Sequence, residues 1–214
     1  MRMRKKSWAI PYLQDNPNLV IQNPETNKGN WNKVLNRELL HLEIGMGKGD
    51  YFEQMSRMYP EEGWIGIEKE QNVAAIAAKK LNENPMDNRL MITKDAKDIL
   101  SWFNEKEIDI IHLNFSDPWP KKSTRKRRLS HENFVKQYHS LLKDDGKVIM
   151  KTDNSKLFEF SLVEFTHNQF ELEEVFVDFR KEERDFDAIS EYEAKFIELN
   201  QPIYRAVFKK VVAE

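Results

Sequence analysis

The sequence of 214 residues contains no cysteine. This absence excludes disulfide bonds, thiolate zinc sites and every covalent mechanism that uses a thiol. It also excludes enzymes in which a cysteine adds to a pyrimidine ring. We expect no metal site in this chain.

Long apolar runs are also missing, since no stretch approaches the roughly 18 uninterrupted apolar residues of a membrane helix. Four of the first six residues are basic, but no apolar core of a signal peptide follows them. We therefore expect a soluble, cytoplasmic protein without membrane contact. A chain of 214 residues with 40% hydrophobic composition is long enough for one α/β domain and short for two.

Neither sign of charge dominates, because the formal net charge is −2. Taken alone, this value argues against a nucleic-acid partner, whose phosphates attract basic proteins. The charges are unevenly distributed, however: six of the eight residues 121–128 are basic, whereas residues 171–198 are strongly acidic. In many proteins such a basic run is only a solvated face, so its interpretation depends on the residues that precede it.

Short apolar runs alternate with segments of helical periodicity through most of the chain. Strands are predicted over residues 39–44, 64–67, 90–93, 108–115 and 147–152. Helices are predicted over residues 51–59, 73–81, 99–103, 133–142 and 157–165. This alternation predicts a doubly wound α/β fold with a mostly parallel sheet and right-handed crossovers.

The two ends of the chain depart from this alternation. Residues 172–179 and 203–212 both have strand character and are separated by an acidic, weakly helical stretch, which predicts an antiparallel pair at one edge of a seven-stranded sheet. Residues 7–33 contain three prolines and a glycine and are predicted to be irregular. We therefore expect a basic amino-terminal arm over residues 1–33 and a single domain over residues 34–214.

A glycine-rich turn follows the first predicted strand, in the segment Glu43-Ile44-Gly45-Met46-Gly47-Lys48-Gly49. Ligands of open α/β sheets bind beyond the carboxyl ends of the strands, and glycines there let the backbone approach the ligand closely. Nicotinamide cofactors favour the spacing G-x-G-x-x-G, whereas the spacing here is G-x-G-x-G. The carboxylate of Glu43 would repel a pyrophosphate and suits a ligand that carries an ammonium or a sulfonium group.

Two further acids end the next two predicted strands. Glu68 is in position to accept hydrogen bonds from both hydroxyls of a ribose. Asp95, together with the amide of Ala96, is in position to meet the amino edge of an adenine. Each acid alone has an ordinary interpretation as a solvated side chain or a helix cap, but three at successive strand ends indicate a nucleoside with a positive charge.

The fourth predicted strand ends in the most specific segment of the chain, Asn114-Phe115-Ser116-Asp117-Pro118-Trp119-Pro120-Lys121-Lys122. Its two prolines and its tryptophan predict a rigid turn that presents Asp117 at the carboxyl end of the sheet. The fifth strand ends in Lys151-Thr152-Asp153-Asn154. We therefore expect Asp117 and Asp153 to be neighbours.

The sequence resembles the bacterial tRNA (guanine-N7)-methyltransferases. The resemblance covers almost the whole chain, from the basic amino terminus through the Gly45 turn and the Asp117 segment to the residues Ser190-Glu191-Tyr192-Glu193. It implies the class I, Rossmann-like fold of methyltransferases that use S-adenosylmethionine, and tRNA as the substrate. Relatives often have threonine at the position of Ser190, which keeps the hydroxyl. The resemblance also implies the guanine of the variable loop as the target, and a homodimer.

The resemblance assigns roles to individual residues, with Asp117 as the catalytic residue. The cofactor would be bound by Glu43, Gly45, Gly47, Glu68, Asp95, Ala96 and Asp117. The substrate would be bound by Lys121, Asp153, Ser190, Glu191, Tyr192 and Glu193. Contacts to RNA would come from Ser123, Thr124, Arg125, Lys126, Arg127 and Arg128.

The chemistry of guanine N7 agrees with these roles. At neutral pH this nitrogen carries a lone pair and no proton, so it attacks a methyl group without a general base, and catalysis reduces to alignment and electrostatics. Asp117 would stabilise the positive charge that methylation leaves on the purine. Asp153 and Glu193 would accept hydrogen bonds from guanine N1–H and the amino group, whereas adenine would leave these carboxylates unpaired.

Three alternatives remain at this stage. The segment from Ser116 to Trp119 is similar to the N-P-P-Y loop of enzymes that methylate exocyclic amines, although Asp117 replaces its first proline. A nucleotide-dependent oxidoreductase is disfavoured by the glycine spacing and by Glu43. A non-catalytic RNA-binding protein is disfavoured by the full set of acids at the strand ends.

Overall fold

The computed structural model describes residues 6–212, and the first five residues of the predicted basic arm lie outside this range. The chain divides into two compact units, residues 1–104 and residues 105–214. None of the helices within residues 6–212 has the length and apolar character of a membrane crossing, and the longest have 13 residues.

The first unit consists of parallel strands and the helices that connect them. The strands are β1 (Val20–Ile21), β2 (Leu40–Ile44), β3 (Gly63–Ile67) and β4 (Arg89–Ile92). The helices are α1 (Ala9–Gln14), α2 (Trp31–Leu35), α3 (Asp50–Met58), α4 (Gln71–Glu83) and α5 (Ile99–Trp102), with 3-10 turns at Pro24–Asn27 and Ala96–Asp98. The strand order is β1-β4-β3-β2, and every pair is parallel.

The interior of this unit follows from the apolar character of its strands. Every residue of β2, β3 and β4 is buried, as expected for parallel strands that are covered on both faces. Helix α4 contributes four buried alanines, whose small side chains allow close packing. Trp31 is fully buried, stacks on Phe103 at 5.2 Å between ring centroids, and donates its indole N–H to the carbonyl of Trp102 at 2.8 Å.

The second unit contains β5 (Ile108–Asn114), β6 (Leu142–Thr152), β7 (Phe170–Phe176) and β8 (Tyr204–Lys210). Its helices are α6 (Glu132–Leu141), α7 (Ser155–His167) and α8 (Glu191–Glu198), with 3-10 turns at Lys122–Arg127 and Phe179–Lys181. Strands β5 and β6 are parallel, whereas β8 pairs antiparallel with both β6 and β7. The predicted antiparallel pair near the carboxyl terminus is therefore confirmed.

Three details differ from the sequence-based expectations. The segment expected to be irregular contains α1, β1 and the start of α2, so the strands within residues 6–212 number eight rather than seven. The fifth predicted strand, expected over residues 147–152, begins at Leu142 instead, and residues 144–146 lie within it as a bulge between the pairs Ile108–Leu142 and Ile110–Lys147. A Cβ on Gly146 would come within 2.9 Å of Leu142, which explains why only glycine fits this bulge. The seventh strand ends three residues earlier than expected, because a 3-10 turn begins at Phe179.

Candidate active site

Three acids meet at one edge of the first unit. Because β2, β3 and β4 are parallel neighbours, their carboxyl ends lie at the same edge. Glu43 lies in β2 and is only 2% exposed, Glu68 directly follows β3, and Asp95 follows β4 by three residues. The structure thus brings together the acids that the sequence predicts to bind the cofactor.

The glycine turn after β2 leaves open space beside these acids. Gly45 and Gly47 have φ values of +80° and +59°, in the left-handed region that favours glycine. Gly45 donates its N–H to the carbonyl of Ile67 at 2.8 Å, which ties the turn to the end of β3. A Cβ on Gly47 would meet nothing within 4 Å. A ligand can therefore approach the backbone here without a steric barrier.

Backbone hydrogen bonds fix the carboxylate of Glu68. Its Oε2 accepts the N–H of Gly47 at 3.1 Å, and its Oε1 accepts the N–H of Glu70 at 2.8 Å. Burial raises the pKa of Glu68 above its ordinary value, while the two backbone donors act in the opposite direction. The side chain is therefore held in one orientation, as an acceptor for hydroxyl groups requires.

Asp95 and Ala96 begin the 3-10 turn after β4. The Oδ1 of Asp95 accepts the N–H of Lys97 at 3.1 Å, so Asp95 caps this turn, and Ala96 is buried. The ordinary interpretation of Asp95 as a cap is therefore correct for one of its oxygens. A contact of Asp95 or Ala96 with a cofactor stays a prediction.

The second unit brings another set of predicted residues to the carboxyl ends of two parallel strands. Asn114, the last residue of β5, pairs with Lys151 of β6. Asp117 lies three residues beyond Asn114 and is exposed, and Asp153 lies two residues beyond Lys151 and is half-buried. The two carboxylates therefore follow neighbouring strand ends, as expected from the sequence.

The turn that carries Asp117 is held by Arg128. The Nε of Arg128 donates to the carbonyl of Pro118 at 2.8 Å, and its Nη2 donates to the carbonyl of Trp119 at 3.2 Å. The guanidinium also lies 4.3 Å from the ring centroid of Phe160, and burial lowers its pKa. Arg127 stacks over Trp119 at 5.0 Å from the ring centroid. The guanidinium of Arg128 therefore supports the turn, and a contact of Arg128 with RNA stays a prediction.

Residues 121–127 of the basic run lie on the surface. Lys121 precedes the 3-10 turn, and Ser123, Arg125, Lys126 and Arg127 are exposed, whereas Thr124 is half-buried and its hydroxyl bonds to the carbonyl of Lys121 at 3.0 Å. Their placement is compatible with contacts to phosphates, and these contacts stay a prediction.

A buried network of four charged side chains lies at the end of β6. Lys151 is fully buried, and its Nζ donates to Asp187 at 2.7 Å and to Glu193 at 3.0 Å. Arg180 donates to the same two carboxylates, each at 2.6 Å. Two positive and two negative charges are thus enclosed together, which offsets the cost of their burial.

Glu193 therefore has a role that the sequence alone did not indicate. It is fully buried, and each of its carboxylate oxygens accepts a bond from Lys151 or Arg180. Ser190 accepts the N–H of Glu193 at 3.1 Å and so caps helix α8. Glu191 and Tyr192, in the first turn of α8, are exposed. Contacts of these four residues with a substrate stay predictions.

Sequence reasoning missed Lys151, Arg180 and Asp187 as members of this network. Lys151 stands at the end of an apolar strand, and a lysine there is a weak signal of a buried partner. Arg180 and Asp187 lie within an acidic segment of ordinary appearance. Their association arises only through tertiary packing.

Comparison with solved structures shows the fold. An antibiotic-related methyltransferase superimposes with a TM-score of 0.65 at 14% identity, covering 83% of this chain and 91% of that chain. A SAM-dependent methyltransferase from Aquifex aeolicus gives a TM-score of 0.58 at 14% identity, covering 92% of this chain and 93% of that chain. The fold is therefore the α/β fold of the methyltransferases that use S-adenosylmethionine.

Sequence comparison is more specific. The family model described as "Putative methyltransferase" matches residues 37–206. A tRNA (guanine-N(7)-)-methyltransferase from Oceanobacillus iheyensis is 43% identical over 98% of this chain and 100% of its own length. The tRNA (guanine-N(7)-)-methyltransferase from Bacillus subtilis is 39% identical over 96% of this chain and 97% of its own length. The chain belongs to the family of tRNA (guanine-N7)-methyltransferases.

The first prediction concerns the ligand of Glu68. The substitution Glu68→Gln should weaken S-adenosylmethionine binding by about 1–3 kcal/mol, because charge-assisted hydrogen bonds to ribose hydroxyls are lost. The fold should be retained, because glutamine keeps the size of the side chain and one acceptor oxygen for the backbone N–H groups of Gly47 and Glu70. Calorimetric titration and thermal unfolding measure the two effects.

Glu70→Gln is the matched control, because Glu70 is exposed and its backbone N–H, which holds Glu68, is kept. It should leave the cofactor dissociation constant unchanged. Equal affinity of the Glu68→Gln variant and the unaltered protein would contradict the assignment.

The second prediction concerns the buried network. Lys151→Met should lower the free energy of unfolding by about 3–5 kcal/mol, because Asp187 and Glu193 are left with Arg180 as their shared cation. Lys147→Met, on the same strand, removes the half-exposed ion pair with Glu173 and should cost at most about 1 kcal/mol. Chemical denaturation measures both changes, and equal costs would show that burial of the network has no special effect on stability.

Proposed function

We propose that this chain transfers the methyl group of S-adenosylmethionine to N7 of a guanine in tRNA and forms 7-methylguanosine. The observation that carries this proposal is the family membership, which extends over nearly the whole chain. The guanine of the variable loop is the target that the resemblance implies. Such an enzyme would act in the cytoplasm, and a homodimer stays a prediction.

The residues of the first unit fit S-adenosylmethionine. The open space beside Gly47 admits a ligand next to the backbone, and Glu68 is oriented to accept the ribose hydroxyls. The carboxylate of Glu43 suits the positively charged part of the ligand. S-adenosylmethionine supplies a methyl group on a positively charged sulfur; as N7 takes the methyl, the electron pair of the carbon–sulfur bond stays on sulfur, and the positive charge passes to the purine.

Asp117 would act through its charge rather than as a base. Guanine N7 carries no proton at neutral pH, so no proton has to be removed before it reacts. A carboxylate at the end of β5 favours the positive charge that develops on the purine in the transition state. The bonds from Arg128 to the carbonyls of Pro118 and Trp119 support this role, because they hold the turn in place before the substrate arrives.

Asp153 would select guanine. It follows β6 directly, and both of its neighbours are fixed: Asn154 donates its N–H to the hydroxyl of Thr152 at 3.1 Å and caps α7 with its side chain. The carboxylate of Asp153 can accept hydrogen bonds from N1–H and the amino group of guanine. Adenine lacks this pair of donors on its Watson–Crick edge.

The decisive experiment is mass spectrometry of nucleosides from unmodified tRNA that has been incubated with the protein and S-adenosylmethionine. 7-methylguanosine is the expected product. A methyl group on an exocyclic amine would instead favour the alternative based on the residues from Ser116 to Trp119. Absence of any methylated nucleoside would overturn the proposal.

The third prediction concerns catalysis. Asp117→Asn should lower the rate of methyl transfer about 100- to 1000-fold, because one preorganised electrostatic interaction with the transition state is lost. The fold should be retained, since Asp117 is exposed. Asp145→Asn is the control, because Asp145 is also exposed and lies in the bulge of β6 rather than at its carboxyl end. A rate of the Asp117→Asn variant within a few fold of the control would remove Asp117 from the catalytic role.

The fourth prediction concerns the basic run. If Arg125 and Lys126 neutralise tRNA phosphates, their joint replacement by glutamine should lower the slope of log affinity against log salt by about 0.7–0.9 for each lost contact. Cofactor affinity should stay unchanged. Arg128→Gln should leave the salt slope nearly unchanged and slow methyl transfer, because Arg128 holds the turn that carries Asp117.

Filter-binding measurements at several salt concentrations test this prediction. An unchanged slope for the Arg125 and Lys126 double variant would show that these residues form only a solvated face. The basic amino-terminal residues would then be the next candidates for the RNA surface.

A further inference from the structure

Three aromatic rings form a cluster in the second unit. The ring centroids of Phe115 and Phe196 are 6.1 Å apart, with their planes only 9° from parallel. Tyr192 packs against both rings, at 5.8 Å from Phe115 and 5.4 Å from Phe196. We refer to these three residues as the aromatic cluster.

The aromatic cluster lies at the carboxyl ends of β5 and β6. Phe115 directly follows β5, and its backbone N–H donates to the carbonyl of Lys151 at 2.8 Å. Its φ of +50° lies in the left-handed region, which a bulky residue adopts at a cost of about 1–3 kcal/mol. Two residues later the chain reaches Asp117. The surrounding contacts therefore maintain an unfavourable backbone conformation at a position next to the proposed catalytic carboxylate.

The buried charged network fixes the other side of the cluster. Tyr192 precedes Glu193, whose two carboxylate oxygens are bonded to Lys151 and Arg180. Ser190 caps the same helix. The backbone that carries Tyr192 is thus held on both sides, and its ring has a defined position before any ligand binds.

Tyr192 nevertheless remains 56% exposed. A ring that served only to anchor α8 would be expected to bury most of its area. Phe196, on the same helix, is more buried than Tyr192. Exposed aromatic rings on a rigid support are a common means of binding an unstacked nucleobase, because every base offers a flat π face.

We propose that the ring of Tyr192, supported by Phe115 and Phe196, stacks on the guanine that receives the methyl group and stabilises its positive charge by a cation–π interaction. This inference rests on the proposed function. Guanine is neutral before the transfer and positively charged after it, so the interaction grows as the reaction proceeds. An interaction that is stronger in the transition state than in the ground state accelerates the reaction.

The electron density of the ring distinguishes this role from simple packing. Packing depends on the volume and shape of the side chain, which fluorine atoms on a phenyl ring change little. A cation–π interaction depends on the negative π face, which fluorine atoms progressively weaken. A graded series of fluorinated rings at position 192 therefore separates the two roles.

The experiment uses the full chain with Tyr192→Phe and with phenylalanines that carry one, two and three ring fluorines at position 192. The rate of 7-methylguanosine formation is measured in single turnovers at saturating tRNA and S-adenosylmethionine. We expect Tyr192→Phe to retain most of the rate and each added fluorine to lower it further. Tyr192→Leu should lower the rate about 2- to 30-fold, the range expected for loss of a cation–π interaction.

The same fluorinated series at Phe186, an exposed ring outside the aromatic cluster, is the control and should give a constant rate. A constant rate across the series at position 192 would overturn the inference. The inference would also be overturned if the fluorines changed tRNA affinity but not the single-turnover rate. Stacking would then stabilise the bound guanine and the transition state equally, and it would not accelerate the transfer.

Failure of the inference differs from failure of the proposed function. If the unaltered protein forms no 7-methylguanosine, the proposed function fails and the inference fails with it. If the unaltered protein forms 7-methylguanosine and the rates are independent of fluorination, only the inference fails.

Discussion

The second unit depends on the buried contact between Lys151 and the two carboxylates of Asp187 and Glu193. A lysine without charged partners would be very costly in this position, so the segments that carry the carboxylates must fold back onto the end of β6. Arg180 completes the network and makes it electrically neutral. The interaction thereby fixes the start of α8 against strand β6, and with it the positions of Ser190 and Tyr192.

A different constraint organises the first unit. Parallel pairing of β2, β3 and β4 places their carboxyl ends at one edge. Glu43, Glu68 and Asp95 lie at or just beyond these strand ends and therefore come to the same edge. Backbone N–H groups then orient Glu68, and left-handed glycines leave room for a ligand beside it. Hydrogen-bond donors and acceptors are thus in place before ligand binding, which reduces the ordering that binding requires.

The residues of the basic run have two structural roles, a half-buried support and an exposed charge. Arg128 is held by two carbonyls and by the ring of Phe160, so its charge stabilises the turn that carries Asp117. Arg125 and Lys126 are exposed on the adjoining 3-10 turn. A count of positive charges does not separate these roles, because the difference lies in burial and in the partners of each guanidinium or ammonium group.

The sequence by itself determined the alternation of strands and helices, the antiparallel pair near the end of the chain, and the acids at the strand ends. Hydrophobic periodicity and glycine spacing are local properties, and the parallel arrangement of strands then brings their carboxyl ends to one edge. The sequence likewise placed Asp117 and Asp153 after the ends of two neighbouring strands.

Only the tertiary structure decided what each side chain contacts. Glu193 bonds to Lys151, 42 residues away, and Phe115 meets Phe196 although α6, β6, α7 and β7 lie between them in the chain. Strand β1 was not predicted, because two residues are too few for a periodic pattern. Their strand conformation comes from pairing with β4. Contacts between residues distant in the chain depend on how the elements pack together, and no local pattern in the sequence contains that information.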